Sequence, residues 1–181
     1  MGRPRSFDDA AVARNIRDAF WRRGYAATSI RDLASAAGIR TGSLHASFGK
    51  KDRLFGLALD TYDPVFTSAF AVDGKGRERL RGYVDLLHER VSENDGPPGC
   101  LIVAAAGEIE DHTEENRAAI LERLDLIRSF VAERLDEDPR DAPPYLADTL
   151  FGLILALLTA ARYGAPPDVL RHIRDGARAL L

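Results

Sequence analysis

The spacing of the apolar residues constrains the fold more than any other feature of the sequence. Along almost the whole chain these residues recur every three or four positions, which is the period of a helix that buries one face. No run alternates apolar and polar residues for long enough to predict a strand. We therefore predict an all-α protein of about nine helices, the first of which buries Val12, Ile16 and Phe20.

Residues that start or stop helices set the expected bounds. Gly24 is expected to end the first helix, and Thr28 is expected to cap a short second helix that stops at Gly38. A third short helix is predicted over about 41–47, and a long fourth helix begins at Lys51. These four segments make a compact N-terminal group of helices.

The second and third predicted helices have the form of a helix-turn-helix. Both are short, and the turn between them, Ala36-Ala37-Gly38, contains a glycine. The residues spaced to pack this pair against the first helix are apolar, namely Ala34, Ile39, Leu44 and Phe48. The outward face of the third helix is polar and comprises Arg40, Thr41, Ser43, His45 and Ser47, with Gly42 allowing close approach of the backbone. In such motifs this face enters the major groove and contacts base edges.

Charge is divided unevenly along the chain. Residues 1–53 carry 11 Lys and Arg against 5 Asp and Glu, whereas residues 54–181 carry 14 against 23. A basic segment beside an acidic remainder favours a local polyanion-binding surface. Lys50 and Lys51 lie where the fourth helix begins, so that their ammonium groups and the free helix N–H groups can address one phosphate. An ordinary helical hairpin with a solvated, charged turn fits these residues about equally well.

The ordered set of residues in this N-terminal segment resembles the TetR (tetracycline-repressor) family of bacterial transcriptional regulators. The residues that carry the resemblance are Gly24-Tyr25, Thr28, Ile30, Leu33, Ala34, Ala37-Gly38-Ile39, Gly42-Ser43-Leu44, Phe48, Lys51 and Leu54-Phe55. As DNA-binding residues we predict Thr28, Arg31, Arg40, Thr41, Gly42, Ser43, His45, Ser47, Lys50 and Lys51. The family usually has tyrosine where this chain has His45, often has tyrosine or histidine at Ser47, and often caps the recognition helix with serine where this chain has Arg40.

The resemblance implies an architecture and a function for the whole chain. A helix-turn-helix DNA-binding domain would occupy residues 1–50, and a larger helical domain, 51–181, would bind a small-molecule effector and form a homodimer through helices eight and nine. The protein would then be a repressor that its ligand releases from a palindromic double-stranded DNA operator, with two recognition helices about 34 Å apart. The alternative is an all-α ligand-binding or interaction protein that no longer reads DNA.

The eighth predicted helix agrees with this dimer independently. It spans about 145–163 and is apolar nearly all round through the segment LFGLILALL, residues 150–158. Such a helix needs cover on every side, and few later elements can supply it, so a second copy is the expected cover. The run is too short for a membrane span, which needs about 20 apolar residues.

The candidate effector site consists mainly of aromatic residues in the larger domain. These are Tyr62, Phe66, Phe70, Tyr83, Phe130 and Phe151, together with Cys100. Aromatic residues at helical spacing more often fill a core. Cys100 begins a helix, whose dipole could lower the thiol pKa for a sensing role that the resemblance also suggests, but the structural reading of a small buried cysteine is favoured.

The remaining sequence features predict neither catalysis nor a bound metal or cofactor. Glu108 and His112 have the i, i+4 spacing of metal ligands on one helix, but a solvated face is the favoured reading. Arg3 and Arg5 are candidates for a phosphate or minor-groove contact, with a disordered terminus as the equal alternative. A single cysteine and charged residues in the first twenty positions, where a signal peptide needs an apolar run, favour a cytoplasmic protein.

Overall fold

A computed structural model describes residues 8–93, 96–138 and 142–181 of the chain. Within these ranges it contains nine α-helices and no strand, which confirms the predicted all-α fold. The helices are α1 (Asp9–Arg23), α2 (Ile30–Ala37), α3 (Thr41–Phe48), α4 (Lys51–Thr67), α5 (Gly76–Ser92), α6 (Leu101–Ala106), α7 (Glu114–Asp136), α8 (Leu146–Arg162) and α9 (Pro167–Ala179). Single 3₁₀ turns lie at Ser68–Phe70 and Ile109–Asp111. Arg3 and Arg5 lie outside the described residues.

Helix α1 is the support on which α2 and α4 pack. Its predicted stripe of Val12, Ile16 and Phe20 is buried, and α1 packs against both α2 and α4. The side chain of Asp8 caps its first turn by accepting a hydrogen bond from the N–H of Ala10 at 2.9 Å. Gly24 ends the helix with a φ of 86°, a value that favours glycine.

The start of α2 differs by one residue from the prediction, because Ser29 and not Thr28 caps this helix. The Ser29 Oγ accepts from the N–H of Asp32 at 3.2 Å, and the Asp32 carboxylate accepts from the N–H of Ser29 at 2.9 Å. This reciprocal pair is a capping box, which satisfies two helix-terminal donors at once. Thr28 is instead fully buried, and its hydroxyl donates to the carbonyl oxygen of Gly24 at 2.6 Å.

The turn between α2 and α3 closes as the glycine predicts. Gly38 adopts the left-handed conformation, with φ 67° and ψ 24°. The N–H groups of Gly38 and Ile39 then donate to the carbonyl oxygens of Ser35 and Ala34, which is a Schellman ending. The turn, residues 38–40, therefore lies two residues later than predicted, and it fixes the direction in which α3 leaves α2.

Helices α4 to α9 form the rest of the molecule around an apolar interior. Most of the faces of α8 are covered by α5, α6, α7 and α9. The buried side chains form one cluster that runs from Val12 to Leu181, so that α4 joins α1 to the remaining helices. None of the helices in the described ranges combines the length and the apolar character that a membrane crossing requires.

The segment after α6 does not form the single helix that the spacing of Glu108 and His112 suggests. Helix α6 ends at Ala106, Glu108 precedes the 3₁₀ turn, and His112 follows that turn in an extended conformation. The two side chains therefore do not share one helical face, and their i, i+4 spacing is not that of metal ligands on a helix. Among the residues that the structure describes, no group of three or more potential metal ligands occurs.

Candidate nucleic-acid interface

Helix α3 turns one polar face to solvent and one apolar residue into the core. Arg40, Thr41, Ser43 and His45 are exposed, as is Gly42, whereas Leu44 is fully buried. Ser47 is half-buried. Since the apolar anchor fixes the rotation of the helix, its exposed side chains stand together on the side that a DNA groove could reach.

The start of α3 carries no side-chain cap. Arg40 occupies the N-cap position in an extended conformation, and its side chain makes no capping hydrogen bond. No described side chain caps the first N–H groups of α3, and the Arg40 side chain is exposed. This arrangement suits a helix whose N-terminal end approaches an electron-rich partner.

The two lysines before α4 are placed differently from each other. Lys50 is the exposed N-cap residue of α4, and no side chain caps this helix either. Lys51 is half-buried, with its Nζ 4.2 Å from the centroid of the Tyr25 ring. The Tyr25 hydroxyl in turn donates to the Asp52 carboxylate. A cation–π contact therefore holds Lys51 at the start of α4, while the Lys50 side chain is exposed.

The residues predicted on or before α2 do not all reach the surface. Arg31 is exposed on this helix. Thr28 is wrong as a DNA-binding residue, because its side chain has no exposure and its hydroxyl is bonded to the backbone of Gly24. Arg23 pairs with Asp32 at 2.8 Å, and hydrogen bonds from Ser29 lower the pKa of the Asp32 carboxyl to about 2.

The comparison with protein families identifies this part of the molecule. The model for bacterial regulatory proteins of the tetR family matches residues 15–58, which run from the middle of α1 into α4 and include the exposed face of α3. Residues 15–58 therefore form a helix-turn-helix segment of the TetR family. The chain is a DNA-binding transcriptional regulator with an N-terminal helix-turn-helix.

Individual relatives resemble this chain over most of its length. The HTH-type transcriptional repressor ComR of Escherichia coli is 29% identical, over 95% of this chain and 88% of ComR. The HTH-type transcriptional repressor BdcR of the same organism is 27% identical, over 84% of this chain and 80% of BdcR. Among solved structures, the TetR-family regulator CifR bound to a 26-bp double-strand operator DNA has a TM-score of 0.79 at 26% identity and covers 98% of both chains.

A second candidate site is a cavity of about 720 Å³ lined by residues of α4 and later elements, with Trp21 of α1 also in its wall. Four of the predicted effector residues line it, namely Tyr62, Phe66, Tyr83 and Cys100. The other three predicted aromatic residues, Phe70, Phe130 and Phe151, do not line this cavity. Phe70 leaves the helical stripe in the 3₁₀ turn after α4 and packs on Tyr83 and Phe130, with ring centroids 5.6 and 4.9 Å away.

The other two aromatic residues outside the cavity, Phe130 and Phe151, also pack in the core. The ring of Phe130 lies beneath the guanidinium groups of Arg79 and Arg134, at 5.6 and 5.4 Å from its centroid. Phe151 is half-buried on α8 and packs against the apolar cluster. Their helical spacing identifies a buried face but cannot distinguish a cavity wall from a filled interior.

Cys100 lies in the cavity wall as a buried thiol. The Tyr62 hydroxyl donates to its Sγ at 3.4 Å. Burial raises the pKa of the Cys100 thiol, so that the protonated form is favoured. This result agrees with the structural reading of Cys100 and not with activation by the helix dipole.

Two functional contacts between the parts of the molecule were not foreseen from the sequence. Trp21 of α1 lines the cavity and packs edge-on against Tyr62, with ring centroids 4.8 Å apart. The Arg162 guanidinium of α8 donates to the Trp21 carbonyl oxygen. Trp21 is the neighbour of Phe20, and the apolar stripe of α1 gave no sign that the next residue faces a different element.

Glu108 provides the second contact, which holds the loop between α1 and α2. Its carboxylate accepts from the N–H of Tyr25 at 2.7 Å and from the N–H of Ala26 at 3.2 Å. The buried ring of His112 lies against Tyr25 and Phe55, with centroid distances of 4.2 and 4.4 Å. Burial lowers the pKa of His112, which favours the neutral ring. The pair that spacing suggested as metal ligands thus connects the α6–α7 segment to the helix-turn-helix.

Proposed function

We propose that this protein is a homodimeric repressor that binds a palindromic operator and is released from it by a small molecule. The observation that carries the proposal is the polar, exposed face of α3 on a helix fixed by the buried Leu44. Arg40, Thr41 and Ser43 are proposed to contact base edges in the major groove. Lys50, Lys51 and Arg31 are proposed to contact phosphates, with His45 and Ser47 in place of the family's usual aromatic contacts. The operator complex of CifR supports this mode of binding.

The proposed division of the chain follows from this assignment. Residues 1–50 would form the DNA-binding domain and 51–181 the ligand-binding and dimerisation domain. Helix α4 begins at the proposed boundary and packs on α1, so it would carry changes from the larger domain to the smaller one. The relatives named as repressors support the sign of regulation.

The dimer is proposed to form through α8 and α9. Small residues line the exposed side of α8 at alternating spacings of three and four, namely Thr149, Gly152, Ala156 and Thr159. Tyr145 and Tyr163 flank this line and are 68% and 70% exposed. Small side chains allow close approach of a second helix, and exposed aromatic rings are enriched at protein interfaces. A second copy of the chain would cover this surface.

Ligand response is proposed to act through contacts that the cavity shares with the helix-turn-helix. Trp21 lines the cavity, and its neighbour Phe20 packs with Tyr25 and with Phe55 of α4, at centroid distances of 5.9 and 5.2 Å. A ligand that shifts Trp21 therefore shifts α1. Such a shift moves α2, on which α3 packs. The ligand is expected to bind tightly only to the conformation with low DNA affinity.

The function can be tested by selecting genomic fragments with the purified full-length protein. We expect the recovered fragments to share a palindrome whose half-sites are about one helical turn apart. Sedimentation should give a dimer at micromolar concentration. Fragments without a shared palindrome would reject the DNA-reading function and favour an all-α ligand-binding or interaction protein, and a monomer would reject the dimer.

A further inference from the structure

We propose that Tyr25 is a positioning residue for DNA binding, because it keeps the charged side chains of Lys51 and Asp52 from pairing with each other. Its ring supports the Lys51 ammonium and its hydroxyl holds the Asp52 carboxylate, so that Lys51 stays available to a DNA phosphate. The inference rests on the proposed phosphate contact of Lys51. It assigns a role in binding to a buried tyrosine and makes Asp52 a competitor of DNA for the same lysine.

Lys51 and Asp52 are consecutive residues in the first turn of α4, and their charged ends meet at one side chain. The Lys51 Nζ lies 4.2 Å from the centroid of the Tyr25 ring. The Asp52 carboxylate accepts a hydrogen bond from the Tyr25 hydroxyl. Side chains of consecutive helix residues normally do not face each other, so Tyr25 is the group that brings these two charges together.

An ammonium and a carboxylate that lie against the same ring attract each other, yet these two are not paired. None of the ion pairs in the described part of the chain includes Lys51 or Asp52. The Asp52 carboxylate is engaged by the Tyr25 hydroxyl instead, and the face of the ring attracts the ammonium. A cation–π contact uses none of the three ammonium donors as a hydrogen bond, so Lys51 can donate to a phosphate without first leaving a carboxylate.

Tyr25 is itself held in place by other parts of the chain. It is 7% exposed, and its ring lies against Phe55 and His112, with centroid distances of 5.2 and 4.2 Å. Its N–H donates to the Glu108 carboxylate at 2.7 Å. Burial, together with the hydrogen bond to Asp52, raises the pKa of Tyr25, so that the hydroxyl stays protonated and remains a donor. A side chain fixed in this way holds both charged neighbours at defined positions.

The test measures binding of the full-length protein to a labelled random-sequence DNA duplex by fluorescence anisotropy over a range of salt concentrations. Tyr25→Phe keeps the ring but removes the hydroxyl, which frees the Asp52 carboxylate. The same substitution is made in the Asp52→Asn and Lys51→Ala backgrounds. Thr61→Val is the matched control, because it removes a hydroxyl that is hydrogen-bonded within α4 and lies about 15 Å along this helix from Lys51.

In the wild-type background we expect Tyr25→Phe to weaken DNA binding by about three- to eightfold at about 0.1 M salt, because Asp52 then pairs with Lys51 and one phosphate contact is weakened or lost. The slope of log affinity against log salt should fall by up to about one. In the Asp52→Asn and Lys51→Ala backgrounds the same substitution should change the affinity by less than about twofold, because one member of the competing pair is missing. Thr61→Val should also change it by less than about twofold.

Two results would overturn the proposal. The first is a loss of affinity from Tyr25→Phe that persists in both backgrounds, since a purely structural role of the hydroxyl requires neither the Asp52 carboxylate nor the Lys51 ammonium. The second is unchanged affinity and salt slope when Tyr25→Phe is made in the wild-type protein. Urea unfolding of each variant ensures that binding is compared between folded proteins.

A second measurement needs no variant and tests the phosphate contact itself. The chain has three lysines, Lys50, Lys51 and Lys75, of which Lys75 precedes α5. Bound duplex should slow the acetylation of Lys51 by acetic anhydride, followed by mass spectrometry, and leave Lys75 unchanged. Unprotected Lys51 in the DNA complex would reject the phosphate contact and the inference with it. Protected Lys51 without an effect of Tyr25→Phe on affinity would reject the positioning role alone.

Discussion

Removal of the Glu108 carboxylate should loosen the loop that joins α1 to α2. Glu108→Ala eliminates the acceptor for the N–H groups of Tyr25 and Ala26, at 2.7 and 3.2 Å. A hydrogen bond to a charged group contributes about 1.5–3 kcal/mol, and the second bond counts less because it is longer and exposed. We therefore expect the free energy of unfolding to fall by about 2–3 kcal/mol, and Glu108→Gln, which keeps one acceptor oxygen, to lose about half as much.

The assay is urea unfolding at one fixed protein concentration, since the stability of a dimer depends on concentration. Glu110→Ala is the matched control. It removes the same charge two residues away, where the 86%-exposed Glu110 side chain only pairs with Arg117 at 3.2 Å. Such a surface pair contributes at most about 1 kcal/mol. Equal destabilisation by Glu108→Ala and Glu110→Ala would refute the role of Glu108.

Three further predictions concern helix α3, Lys51 at the start of α4, and the buried His112. Leu44→Ala should lower the free energy of unfolding by about 2–5 kcal/mol in urea, because it leaves a cavity in the core, whereas Thr41→Ala should leave stability within about 0.5 kcal/mol and weaken operator binding. Lys51→Ala should weaken binding to every DNA sequence and reduce the slope of log affinity against log salt by about one, whereas Arg40→Ala should change sequence preference in a competition assay. Burial depresses the pKa of His112 in the folded state. The stabilising contribution of the neutral His112 ring is therefore complete above the unfolded pKa of about 6.5 and declines as the pH falls below that value. His112→Phe should remove this part of the pH dependence of the free energy of unfolding.

Each of these three predictions has an outcome that would contradict it. A stability loss from Thr41→Ala as large as that from Leu44→Ala would contradict the outward orientation of the α3 face. Uniform loss across sequences from both Lys51→Ala and Arg40→Ala would contradict separate phosphate and base roles. An unchanged pH dependence below about pH 6.5 in His112→Phe would contradict a buried, neutral imidazole.

Features that depend on local sequence were predictable. The burial of Leu44, the polar face of α3 and the glycine-closed turn all follow from spacing within about ten residues. The cap of α2 was missed by one residue because threonine and serine cap helices comparably well, and the partner that decides between them is Asp32, three residues after Ser29.

Features that depend on long-range packing were not predictable from the same patterns. Glu108 meets Tyr25 across 83 positions of the chain, and Trp21 meets Arg162 across 141. Periodicity identifies a buried face but not the element that covers it. The position of Phe70 was not predictable for the same reason. The 3₁₀ turn that redirects its side chain follows from the end of α4 and not from the spacing of Phe70 itself.

The most direct test of the central claim is dimethyl sulfate footprinting of the selected operator. Guanine N7 lies in the major groove, and adenine N3 lies in the minor groove. If the exposed face of α3 reads DNA, the protein should protect guanine N7 atoms in two half-sites about one helical turn apart, and Arg40→Ala should weaken that protection in both. Protection of adenine N3 alone, or bound DNA with every guanine N7 still reactive, would contradict the claim that α3 enters the major groove.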